Sequence, residues 1–128
     1  MNAKKLTFFD IFSAILAGVG YGGWAVYINL EAGLSMALLS GAVQAVYAFA
    51  TTFFITSFAR RVFTRFHCRI RGGLTAFILS VIFMVCVPFA VHAAAGTMNI
   101  VETIAPGVIW GTIYIAGFLT VLYRKANA

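Results

Sequence analysis

The stretch RRVFTRFHCRIRGG, Arg60 to Gly73, carries five of the chain's nine Lys and Arg residues. The other four stand near the two ends: Lys4 and Lys5 before the first long apolar run, Arg124 and Lys125 after the last. The runs between these clusters hold no cation at all. A membrane-crossing helix needs about 20 mostly apolar residues to traverse about 30 Å of hydrocarbon. Four segments meet that requirement, at about 11–29, 34–58, 74–95 and 103–123. They are too long for the strands of a membrane barrel and lack its two-residue alternation. The expected architecture is an all-α membrane protein. Its single domain spans residues 1–128, with four transmembrane helices arranged as two helical hairpins joined by the basic segment 60–73.

The charge distribution also sets an orientation. The two short linkers that lack cations each contain one acid, Glu31 in the first and Glu102 in the second. Cations accumulate on the cytoplasmic side of short loops, so both termini and the 60–73 loop are expected in the cytoplasm. This is the pattern of a bacterial-type inner membrane protein with multiple spans. Asp10 stands at the cytoplasmic entry of the first span, where a carboxylate suits a helix N-terminus. Lys4 and Lys5 followed by an apolar run also resemble a signal peptide, but the run is long and no small-x-small site closes it, so a retained first span is expected.

Composition agrees. The 128 residues are 62% hydrophobic and 9% charged, against roughly 25% charged in soluble domains. The net charge of +6 raises a nucleic-acid reading, which the placement of the cations at span ends excludes. Two cysteines do not make a disulfide framework: Cys68 lies among the arginines on the reducing side and Cys86 lies inside a span.

Small residues recur every fourth position in three spans: Ala14, Gly18 and Gly22; Ala37, Gly41 and Ala45; Gly107 and Gly111. Such stripes let helix backbones approach closely in lipid. They serve packing within the bundle or, through the glycine-rich faces, a homodimer. Trp24, Tyr27, Trp110, Tyr114 and Tyr123 are dispersed near span ends, where interfacial anchoring accounts for several of them.

Polar residues supply the candidate site. Asn29, Glu31, His92, Asn99 and Glu102 gather toward the outer face, where a carboxylate beside an imidazole would bind a cation, move protons or hold a polar ligand. Gln44, Tyr47 and Thr51 share one helix face, as a polar path or as interhelical hydrogen bonds. The candidate substrate-binding residues are therefore Gln44, His92, Glu31, Glu102 and Asn29. Pro88 breaks a helical hydrogen bond within span three and frees the Met84 carbonyl, which Cys86 or nearby polar groups would meet. Pro106 is expected in the first turn of span four, where proline is tolerated.

Arg60, Arg61, Arg65, Arg69 and Arg71 are assigned to anionic lipid headgroups. Three of them recur at four-residue spacing between Phe58, Val62, Phe66 and Ile70, as in an amphipathic helix lying at the interface. No metal-ligand spacing, phosphate-binding glycine loop or nucleophile–base set is present, so no cofactor, metal or enzymatic activity is expected. No acid sits at the centre of a span, which argues against simple proton-coupled antiport. Two functions fit: transport of a small solute or handling of a lipid-linked substrate by an oligomer, or a non-catalytic accessory subunit of a larger membrane complex.

Overall fold

The computed structural model describes residues 8–127. Lys4 and Lys5 lie outside them, and the side chain of Asp10 is likewise not described. The described chain forms four α-helices and no strand: α1 (Phe8–Ile28), α2 (Leu34–Thr64), α3 (Arg69–Ala95) and α4 (Ile100–Asn127), with a 3-10 turn at Leu30–Ala32 between the first two. Each is long and apolar enough to cross a membrane. These are the dimensions of a multi-pass membrane protein.

Three helices run further than hydropathy alone predicts. α2 continues to Thr64, α3 begins at Arg69, and α4 starts at Ile100 and ends at Asn127. An apolar window stops at the first charge, whereas backbone hydrogen bonding does not. With 31 residues, α2 is about 46 Å long at 1.5 Å per residue, well beyond about 30 Å of hydrocarbon. Arg60 and Arg61 thus belong to α2, and Arg69 and Arg71 to α3.

The expected interfacial helix through 61–71 does not form. The Thr64 hydroxyl caps the end of α2 by donating to the Arg60 and Arg61 carbonyls, both at 3.1 Å. After Arg65 the chain reverses, and α3 returns along α2. The crossing is tight: a Cβ on Gly72 would stand 2.6 Å from the Phe63 carbonyl oxygen. Residues 65–68 are all that remains of the loop.

α1 packs along α2, α2 along α3, and α3 along α4. Small residues set the first of these contacts. Cβ atoms placed on Gly22 and Gly41 would each stand 3.0 Å from the other's carbonyl oxygen, and Gly18 lies against Ala45. The stripes expected in spans one and two are therefore consumed inside the bundle. α3 turns one face inward throughout, burying Gly72, Ala76, Ser80, Met84, Pro88 and His92 at strict four-residue spacing. Most large apolar side chains point outward instead, Val19, Val46 and Ile109 among them, as a lipid solvent requires.

The interior has two halves. Toward the basic end, where Arg60 and Arg69 meet the last turns of α4, Ile55, Ala59, Phe63, Ala76, Met84, Ile115 and Leu119 form an apolar core. Toward the end bearing Glu31 and Glu102, the buried residues include Asn29, Ser40, Gln44, His92, Thr97 and Thr103. That half is held by hydrogen bonds.

A hydrogen bond at the surface of the same end explains two residues read differently from sequence. Pro106 is not in the first turn of α4, because the helix begins at Ile100. Lacking an N–H, it leaves the Glu102 carbonyl without its helical donor. The Trp24 indole Nε1–H fills the vacancy from α1, at 2.8 Å. Trp24 is thus a hydrogen-bond donor to α4 as well as an aromatic at a span end. Trp24→Phe should destabilise the protein by about 1 kcal/mol, but by clearly less when Pro106→Ala restores a backbone donor. Unfolding in detergent measures this cycle, and equal losses in both backgrounds would refute the pairing.

Candidate functional site: a polar cluster beside a lateral cleft

The sequence candidates separate into two hydrogen-bonded groups and two exposed acids. The first group ties α1 to α4. Asn29, fully buried, donates from Nδ2 to the Ala25 carbonyl at 2.9 Å and to Thr103 Oγ1 at 2.8 Å. Its Oδ1 accepts the Asn99 backbone N–H at 3.2 Å. Asn99 Nδ2 returns a bond to the Ile28 carbonyl at 3.0 Å, and Thr103 Oγ1 donates to the Asn99 carbonyl at 2.6 Å. Asn29 therefore caps the end of α1 and clamps it to the start of α4.

The second group joins α2, α3 and the turn after α3. His92 Nε2 lies 2.8 Å from Gln44 Oε1, and His92 Nδ1 lies 2.9 Å from Thr97 Oγ1. Thr97 Oγ1 is in turn 3.1 Å from Ser40 Oγ. Gly96 makes this possible. Its left-handed φ of 76°, natural to glycine, turns the chain so that the Thr97 N–H bonds the His92 carbonyl at 3.0 Å. The Thr97 hydroxyl is thereby delivered to the ring of the same histidine. With Gln44 Oε1 an obligate acceptor, Nε2 carries the imidazole proton and Nδ1 accepts from Thr97.

Glu31 and Glu102 stand elsewhere. Both are exposed, and both ring nitrogens of His92 are already engaged by Gln44 and Thr97. The expected carboxylate–imidazole pair is not formed. Acids at the water boundary cost little and have no cause to turn inward. Among the described residues no group of His, Cys, Asp and Glu could hold a metal ion.

Below the Asn29 clamp α1 and α4 part, and a cavity of about 270 Å³ opens between them. α1 contributes Tyr21, α2 contributes Gln44, Tyr47 and Thr51, α3 contributes Met84 and Pro88, and α4 contributes Gly107, Gly111 and Tyr114. The helix face expected to carry Gln44, Tyr47 and Thr51 does line it. The Tyr47 hydroxyl is closed to solvent, with the Thr51 hydroxyl as its neighbour on the same helix face. Trp110 and Tyr114, 62% and 56% exposed, flank the mouth from the middle of α4, so they are not span-end anchors. Apart from tyrosine, no ionisable side chain lines the cleft.

Gln44 belongs to both features. It is 1% exposed, its Oε1 faces His92, and its Nε2 lies toward α4, 3.5 Å from where a Gly107 Cβ would stand. α3 passes through Pro88 to Ala95 as one helix. Cys86 is exposed on the opposite side from Pro88 and Met84 and does not meet the carbonyl that Pro88 frees.

At the basic end, Arg60, Arg61, Arg65, Arg69 and Arg71 are all exposed. The Arg60 guanidinium sits 5.4 Å above the Phe118 ring, and Arg69 Nη1 donates to Asn127 Oδ1 at 3.3 Å. Cys68, a free thiol at the N-terminus of α3, is held below the usual thiol range. The backbone N–H of Arg71 contributes most, helped by that of Ile70 and by the Arg71 charge, while desolvation opposes them.

Ser40, Thr97 and Thr103 were not singled out from sequence. Ser40 and Gln44 are one turn apart and so share a helix face, which was a usable signal. Thr97 and Thr103 are recognisable only once the turn after α3 is folded. The chain matches no family model, no curated protein and no solved structure.

Proposed function

We propose that this protein is an inner-membrane bundle with both termini in the cytoplasm, two helical hairpins joined at the basic turn. Its cleft binds part of a small, membrane-dissolved molecule. The function in view is the handling or movement of a lipid-linked or lipid-soluble substrate, with the five arginines at the headgroups on the cytoplasmic side. The observation that carries this reading is the cavity between α1 and α4: largely apolar, bordered by polar groups of α2, and open sideways where a lipid-phase molecule can enter. Concave, mostly apolar pockets with a few placed polar groups are the usual form of small-molecule sites.

Gly107→Leu tests it. A Cβ at this position meets only Gln44 Nε2, at 3.5 Å, so a leucine projects into the cleft without striking backbone. Protein extracted from its own membrane is expected to carry a small-molecule adduct in native mass spectrometry, and Gly107→Leu to lose it while remaining folded. No adduct in either form would contradict the reading. An accessory role is the second reading. Gly20, Gly23 and Gly117 have open space around them, which leaves close-approach faces for a partner helix or a second copy. A stable association with another chain, together with an empty cleft, would favour it.

Orientation has its own test. A membrane-impermeant maleimide should label Cys68 in inside-out vesicles and leave it unlabelled in right-side-out cells. Because the Cys68 thiol is held below its usual range, its reaction should persist at lower pH than that of an ordinary exposed cysteine, falling only as the thiolate is protonated. Labelling from outside would reverse the topology.

A further inference from the structure

The hydrogen-bond chain beside the cleft has a direction, and that direction selects a ligand. This inference rests on reading the cleft as a ligand site. Gln44 Oε1 accepts from His92 Nε2, so His92 Nδ1 accepts from Thr97 Oγ1. The Thr97 hydroxyl, having given its proton to the ring, accepts from Ser40 Oγ. Donation therefore runs Ser40, Thr97, His92, Gln44. The chain ends on the Gln44 amide nitrogen, which keeps two N–H groups and is given no acceptor by any described residue. It lies against Gly107, a wall of the cleft, on a side chain that is 1% exposed. A ligand that supplies an acceptor to these N–H groups gains a hydrogen bond away from bulk water.

We propose that the cleft takes an uncharged, ring-sized molecule that presents a carbonyl oxygen to Gln44 Nε2. A carbonyl offers two lone pairs and brings no proton of its own, which matches the donor-only N–H groups of the Gln44 amide. No Asp, Glu, Lys, Arg or His lines the cavity, so an ionised group would lose its hydration there with nothing to compensate. The volume of about 270 Å³ is below the roughly 300–1,000 Å³ of sites that enclose a drug-sized ligand. It holds a single substituted ring and leaves any tail in the lipid. Tyr21, Trp110 and Tyr114 add aromatic side chains to the lining, and aromatic rings attract one another beyond their area burial.

Four matched probes test this by calorimetric titration of the full-length protein in detergent: 4-butylacetophenone, 1-butyl-4-ethylbenzene, 4-butylphenol and 4-butylbenzoate. The ketone is expected to bind at least tenfold more tightly than the hydrocarbon, and more tightly than the phenol or the ionised acid. In Gln44→Leu the ketone should fall to within about twofold of the hydrocarbon. The hydrocarbon should still bind Gln44→Leu, at least as tightly as it binds the unmodified protein, showing that the variant keeps its cleft. Equal binding of ketone and hydrocarbon, both abolished by Gly107→Leu, would overturn the carbonyl assignment and leave the cleft as a ligand site. A preference for the phenol or the benzoate would overturn it too. Failure of all four to bind would remove both readings.

Discussion

Replacing Gly41 with leucine is expected to keep α1 from seating on α2 and to leave little folded protein in detergent. Even a methyl group at this position would run into the Val26 side chain and stand 3.0 Å from the Gly22 carbonyl oxygen. Val26 has some freedom to move, but the backbone of α1 does not. Overpacking a close contact costs about 1–3 kcal/mol, occasionally more, so Gly41→Ala should already lower the unfolding temperature. Gly20 is the control. It has nothing within 4 Å of its Cβ position, so Gly20→Ala should gain about 0.5–1 kcal/mol from the helix preference of alanine over glycine. Opposite shifts for two glycine-to-alanine changes in neighbouring helices are a sharp expectation. Equal shifts would mean that the α1–α2 crossing lies elsewhere.

The second large effect is expected at His92. His92→Leu strands Gln44 Oε1 and removes the ring acceptor for Thr97, both in the interior. Each buried group left unpaired costs about 1–3 kcal/mol, though interhelical hydrogen bonds in membranes average about 0.6 kcal/mol and reach about 1.7. A total loss of about 2 kcal/mol follows from these limits. Gln44→Leu alone should cost less, because it also removes a polar side chain that has an unpaired amide nitrogen. The double replacement should cost less than the sum, since removing both partners of a buried bond leaves fewer orphans. Strict additivity would show that the two side chains are not bonded to each other.

Much of this fold could be read from the chain, for a physical reason. In lipid the backbone must satisfy itself, so a long apolar run between charges is a helix. The four runs appear as the four helices of the bundle. Helix ends were less legible. Arg60 to Thr64 and Arg69 to Gly73 look like loop because they are charged or small, yet they are helical because α2 and α3 project past the apolar layer and pack there through Gly72.

Legibility in the site followed a similar divide. The shared face of Gln44, Tyr47 and Thr51 follows from helical spacing alone. That Gln44 meets His92 depends on how α2 and α3 are rotated against one another, which spacing does not fix. Trp24 reaching the carbonyl freed by Pro106 requires two helices distant in sequence to meet at one level. Glu31 and Glu102 were natural candidates as the only acids at that end, and their charge is the reason they stay at the surface. The strict four-residue stripe of α3, from Gly72 to His92, was present in the letters but hidden by apolar residues on every other face.

The most direct test of the ligand-binding cleft compares two adjacent residues. Val46 is 70% exposed on the outer surface of α2, whereas Tyr47 lines the cleft. A photoreactive phenylalanine analogue placed at each position and irradiated in the native membrane reports what lies against that face. Position 47 is expected to capture a discrete small molecule that Gly107→Leu abolishes, while position 46 captures bulk phospholipid. The same phospholipid adducts from both positions, unaffected by Gly107→Leu, would contradict a ligand-binding cleft.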